Sequence, residues 1–133
     1  MKNILTIGKK SKQAFENLKN VDHKKINKAL DDYVKLILIN RKKIIRENAK
    51  DVRNLKRKNV LDRLILNEKK IDDIIKSINE IKKFPNPIGK TLDKWKGRNK
   101  LNIKQITTPI GVIGIIYESR PNVTADVAAL CLK

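Results

Sequence analysis

Five consecutive residues, Glu118-Ser119-Arg120-Pro121-Asn122, gather a carboxylate, a hydroxyl, a guanidinium and an amide into one short stretch. They follow an apolar run over residues 109–117 and precede a helix-like stretch over 125–133, so the local order reads strand, polar loop, helix. Open α/β sheets bind ligands at such strand carboxyl ends. A local reading stands beside this one, with Arg120 pairing to a neighbour and Asn122 capping the helix. Gly111 and Gly114 permit close backbone packing around the strand, but they do not make the G-x-G-x-x-G phosphate fingerprint. Cys131, the one cysteine, sits in the apolar sequence Ala129-Leu130-Cys131-Leu132, where a buried, unactivated thiol is the commoner outcome, and we reject it as a nucleophile. His23 reads as a surface or helix-start residue rather than a general base. One histidine and one cysteine cannot build a Cys/His zinc site, and a lone cysteine excludes an internal disulfide. No acid pair or Ser/His/Asp arrangement is supported.

The elements that must hold this loop divide into two halves of different periodicity. Up to about residue 83 the spacing is helical. Ile7, Ala14, Phe15 and Leu18 share one stripe of a first helix. Asn20-Val21-Asp22 offers a cap for a longer helix, whose apolar face runs through Ile26, Ala29, Leu30, Tyr33, Val34, Ile37, Ile44 and Ile45. Lys42 and Lys43 fall between these positions and face water. A third helical region spans Val52 to Ile65. Asn67 caps a fourth, with Ile71, Ile74, Ile75, Ile78 and Ile81 in register, which Pro85 and Pro87 stop.

Residues 92–95 and 101–106 then flank Lys96-Gly97-Arg98-Asn99 as a hairpin. In the run over residues 109–117 apolar residues do not alternate with polar ones, so both faces of that strand should be buried. Such a strand needs neighbours on both edges and layers above and below, yet the chain contains no second strand of a βαβ unit. The expectation is an α/β fold that stops inside its own domain.

The 133 residues suffice for one modest domain, with 40% hydrophobic content. Lysine and arginine number 32 against 14 acids, a net charge of +18. That excess could attract nucleic acid, anionic membranes or a phosphorylated substrate. The bases, however, are scattered among acids, as at Asp31-Asp32, Asp62-Arg63 and Asp72-Asp73, and aromatic residues make up only 4%. Solvated helix faces therefore come before a nucleic-acid surface. The amino-terminal stretch lacks a long apolar core, and the run at 110–117 is too short to span a bilayer as a helix. The expected location is cytoplasmic.

The sequence Thr108-Pro109-Ile110-Gly111-Val112-Ile113-Gly114-Ile115-Ile116-Tyr117-Glu118-Ser119-Arg120-Pro121-Asn122-Val123-Thr124, with its continuation to Lys133, resembles the start of the nucleotide-binding core of the γ-glutamyl phosphate reductase (glutamate-5-semialdehyde dehydrogenase) family. Upstream, Asn48-Ala49-Lys50-Asp51-Val52 and Leu61-Asp62-Arg63-Leu64 also look like that family's N-terminal region. The resemblance implies a truncated aldehyde-dehydrogenase-like N-terminal region. Its parts would be a helical region over 1–90, a β-hairpin over 91–107 that takes part in homo-oligomer contacts, and the start of an NADP-binding core over 108–133. It implies an enzyme that uses NADPH to reduce L-glutamyl 5-phosphate to L-glutamate 5-semialdehyde in proline biosynthesis. A cysteine thiolate beyond Lys133 would displace phosphate to give a thioester, which hydride then reduces. By the same resemblance Glu118, Ser119, Arg120, Pro121 and Asn122 border the nicotinamide or substrate pocket. Arg120 would contact a phosphate or carboxylate, and Asn122 would donate near the reacting carbonyl. Related aldehyde dehydrogenases have Pro-Trp-Asn in this neighbourhood, where this chain has Ser-Arg-Pro-Asn. Alone, the chain should be inactive. The competing reading is a non-enzymatic basic helical protein that binds nucleic acid.

Overall fold

Asp22 starts the longest helix because its carboxylate accepts the Lys24 amide, one of the donors a helix start leaves without a partner. The structure, a computed structural model, describes residues 2–56 and 58–133. Along the chain lie α1 (Lys2–Leu18), α2 (His23–Arg53), α3 (Leu61–Leu64), α4 (Glu68–Lys83), the strands β1 (Thr91–Lys96) and β2 (Asn102–Ile106), and α5 (Pro121–Leu132). A helical first half followed by an antiparallel hairpin is as the residue spacing predicts. Asp22 and Asn67 are the caps of α2 and α4 that the sequence suggests, Asn67 accepting the Lys70 amide at 2.9 Å. The Pro85 stop also holds, since α4 ends at Lys83. The third helical region is shorter than expected: α2 closes at Arg53, and only a 3-10 turn at Lys58–Val60 and the four-residue α3 follow.

The chain forms two units. In one, α2 and α4 pack against each other, and α5 packs on α4. Leu30 and Ile37 of α2, Leu66 just ahead of α4, Ile71, Ile74, Ile78 and Ile81 of α4, and Ala125 and Ala129 of α5 form the core. Each large aliphatic side chain buried here contributes about 1.5–3 kcal/mol relative to exposure. The two alanines let α5 come close to α4, where Ser77 Oγ donates to Asp126 Oδ1 at 2.8 Å. Outside this core Arg41 of α2 bridges Glu68 and Asp72 of α4. At the far end of α5, Lys133 Nζ donates to Asn27 Oδ1 at 2.6 Å and to the Lys82 carbonyl at 2.7 Å.

The other unit contains α1 and residues Pro85–Gly114. Its β1 and β2 pair antiparallel, Trp95 opposite Ile103, with an irregularity between Thr91 and Asp93. The turn closes through a Gly97 amide to Leu101 carbonyl bond of 2.8 Å, and Asn99 takes up the left-handed conformation at φ 67°. Every residue of the two strands is exposed.

One expected strand does not form. Residues 109–117 pair with nothing in the described sheet, which has two strands only. Ile116 is fully exposed and Ile110 nearly so. A ladder needs a partner backbone, and the hairpin strands are already paired to each other. For the same reason Gly111 and Gly114 are not packed against a neighbour, since a Cβ built at either meets nothing within 4 Å. Gly111 is used for its conformation instead, at φ 111°.

Candidate functional site

Tyr117 and Thr124 bracket the polar loop, their hydroxyls 2.7 Å apart. Between them the chain makes a sharp turn. Ser119 adopts a left-handed φ of 55°, Arg120 is the N-cap of α5, and Pro121 takes the first helical position, where a missing amide costs nothing. The local reading of this loop is corrected on both counts. Asn122 does not cap α5: no side chain among the described residues does, and the Asn122 amide donates to Asp126 Oδ2 at 3.3 Å from inside the helix. Arg120 forms no ion pair among the described residues and is exposed.

Arg120 and Pro121 line two cavities at once. The smaller, about 390 Å³, lies between the α3–α4 connection, one face of α4 and the start of α5. Its charged and polar lining includes Arg63, Lys70, Asp73, Ser77, Asn122 and Asp126 over Ile65, Leu66 and Ile74. The larger, about 620 Å³, runs along α2 and includes Lys43, Asn48, Tyr117, Ser119 and Thr124. Ser119, Arg120, Pro121 and Asn122 therefore all border a cavity. Glu118 is exposed and lies outside both linings.

The wall shared by the cavities is held by a residue that sequence reasoning did not single out as structural. Asn48 is buried in α2; its Nδ2 donates to the Leu64 carbonyl at 2.9 Å and its Oδ1 accepts the Leu66 amide at 2.7 Å. It thus replaces a missing backbone partner on each side of Ile65 and fixes the connection from α3 to α4. Lys70 Nζ secures the same connection, donating to the carbonyls of Asp62 and Ile65 at 2.8 and 2.6 Å. On α4 the positions Lys70, Asp73, Ile74 and Ser77 share a face by their spacing of three and four residues. That spacing was the available signal.

Asp126 also acts on Tyr33 of α2. Burial pushes the Tyr33 phenol above its ordinary ionisation range, and the negative charge of Asp126 and then Tyr117 add to the shift. The charged neighbourhood of the loop is therefore mixed, anionic at Asp62, Asp73 and Asp126 and cationic at Arg63, Lys70 and Arg120.

Cys131 is exposed, contrary to the burial expected of it. In α5 the inward positions are Ala125 and Ala129, and the residue two beyond Ala129 points elsewhere on a 3.6-residue turn. It lines neither cavity. His23 is the first residue of α2, as read from the sequence.

No family model matches the chain. Individual relatives do. The chain is 43% identical, over 99% of its length, to a γ-glutamyl phosphate reductase of Clostridium tetani. It is 44% identical over its full length to one of Caldicellulosiruptor saccharolyticus. It spans 32% and 33% of those two proteins, about a third of each. Among solved structures, γ-glutamyl phosphate reductase of Thermotoga maritima superposes with a TM-score of 0.89 at 37% identity, over 96% of this chain and 32% of that one. The Saccharomyces cerevisiae enzyme gives 0.88 at 26% identity, over 96% and 33%.

Proposed function

We propose, from the premise that the chain matches one third of γ-glutamyl phosphate reductase along nearly its whole length, that it is a working part of such a reductase. The whole enzyme would convert L-glutamyl 5-phosphate to L-glutamate 5-semialdehyde and phosphate with NADPH. One observation carries the reading beyond the likeness itself. The loop at residues 119–122 opens α5 between two cavities, so one loop borders space for two ligands.

The chain's residues fit that division. The larger cavity sets Lys43 and Arg120, with Glu47 and Asp51 in the same lining, beside the apolar Ile44, Leu64 and Leu66, a mixture of charge and apolar surface suited to part of a nucleotide. When bound, NADPH supplies hydride to the acyl carbon. Arg120, exposed and without an ionic partner among the described residues, is placed to attract the acyl phosphate or a nucleotide phosphate. Asn122 uses one amide hydrogen on Asp126 and retains a second, which can be donated to the carbonyl oxygen as negative charge develops there. Pro121 fixes the backbone between these two residues. The thiolate that attacks the carbonyl carbon and expels phosphate comes from outside this chain. The exposed hairpin residues Leu92, Trp95 and Leu101 provide a surface for association with a second copy.

The test uses the full gene product that carries these residues, assayed for NADP+ reduction with L-glutamate 5-semialdehyde and phosphate. Asn122→Ala should lower kcat by about 10²–10³, the usual effect of losing one oxyanion donor, with little change in the KM for NADP+. An unchanged kcat would remove Asn122 from the reaction.

A further inference from the structure

Within the smaller cavity half of the polar side chains are already engaged. Lys70 is held by two backbone carbonyls, while Asp126 accepts from Ser77 and Asn122. Asp62, Arg63, Asp73 and Arg120 are the charged side chains of the lining that have no side-chain hydrogen bond or ionic partner among the described residues. Two are cationic and two anionic, over a floor formed by Ile65, Leu66 and Ile74. A simple anion would meet Asp73 and the Asp126 carboxylate as well as the arginines. A ligand with a carboxylate and an ammonium at one end, a short methylene chain, and a second anionic group at the other answers charges of both signs and the apolar floor.

We propose, resting on the reductase reading, that this cavity seats the amino-acid end of the substrate. Asp73 of α4 pairs with the α-ammonium group and Arg63 of α3 with the α-carboxylate. The methylenes lie over Ile74 and Leu66, and the reacting end points toward Arg120 and Asn122 at the start of α5. Asp73 and Arg63 thereby select a γ-activated α-amino acid over an acyl phosphate or aldehyde that lacks the amino group. Asn48 and Lys70 contribute indirectly, by fixing the connection that carries Arg63 toward α4.

The experiment compares L-glutamate 5-semialdehyde with 5-oxopentanoate, which keeps the carboxylate and lacks the ammonium, in phosphate-dependent NADP+ reduction by the full gene product. Asp73→Asn should raise KM for the semialdehyde about ten-fold or more, as expected for losing a charge-assisted contact, and leave 5-oxopentanoate kinetics unchanged. The KM values for NADP+ and phosphate should not move. Asp73→Glu, which keeps the charge, should recover most of the discrimination. Arg63→Gln should raise KM for both aldehydes. Equal effects of Asp73→Asn on the two aldehydes, or none on either, would overturn the assignment while leaving the reductase reading intact. A folded wild-type product that oxidises neither aldehyde with phosphate would overturn both.

Discussion

Asn48 shows how one polar side chain can organise a site without touching a ligand. Buried in α2, it satisfies the Leu64 carbonyl and the Leu66 amide, the two backbone groups that flank the turn into α4. Asn48→Ala leaves both without a partner in a water-poor setting, so urea unfolding should report a loss of about 2–3 kcal/mol. Asn48→Asp keeps the acceptor and loses the donor, and should fall between. Nothing in the sequence marks this role, because an asparagine within a helix is read as a surface residue until its tertiary partners are known. Tyr33 offers a second residue-level check. Its phenol is shifted upward by burial first, then by Asp126, so the neutral form is favoured in the folded chain. That contribution to stability is complete below the ordinary tyrosine value of 10.0 and is lost as pH rises through the higher folded value. In the Tyr117→Phe variant of this chain, where Tyr33 is the remaining tyrosine, absorbance at the phenolate band should titrate with a midpoint above 10.0. A midpoint at or below it would place Tyr33 in water. That Arg120 and Asn122 border a cavity, by contrast, agrees with what residue type and position suggest, a polar loop between an apolar run and a helix.

Among the elements, α2 and α4 follow from period and caps: isoleucines at helical spacing predict the buried face of α4, and Ile71, Ile74, Ile78 and Ile81 are its buried residues. The limits of the α3 region were not legible, because Val52, Leu55, Val60 and Leu61 keep an apolar rhythm across a break that only backbone partners reveal. The run at 109–117 exposes a different limit. Its composition specifies a strand with both faces covered, but composition cannot supply the neighbouring strands that make a ladder. Most of its large apolar side chains stay exposed here, as do those of the hairpin. A two-stranded hairpin is marginal by itself, and Leu92, Trp95 and Leu101 are large apolar groups in water. Replacing Leu92 and Leu101 together by glutamate should lower the association state of the full gene product in sedimentation experiments. Unchanged assembly would assign the contact to another surface.

For the molecule as a whole, a net charge of +18 is the most conspicuous property and the least informative about function. Several basic residues are matched, by Glu16, Asp32, Glu47 and Glu80 three residues away along the chain and by Asp31 and Asp72 between α2 and α4. Any affinity for nucleic acid should be non-specific and fall steeply with salt. The likeness to γ-glutamyl phosphate reductases extends instead along nearly the whole chain, which spans about a third of those enzymes. No helix of the described residues is long and apolar enough to cross a membrane. The reductase reading depends above all on how NADPH formation from L-glutamate 5-semialdehyde by the full gene product responds to phosphate. Turnover should saturate with phosphate and vanish without it. A folded product that forms no NADPH, or forms it equally well without phosphate, would refute the reading.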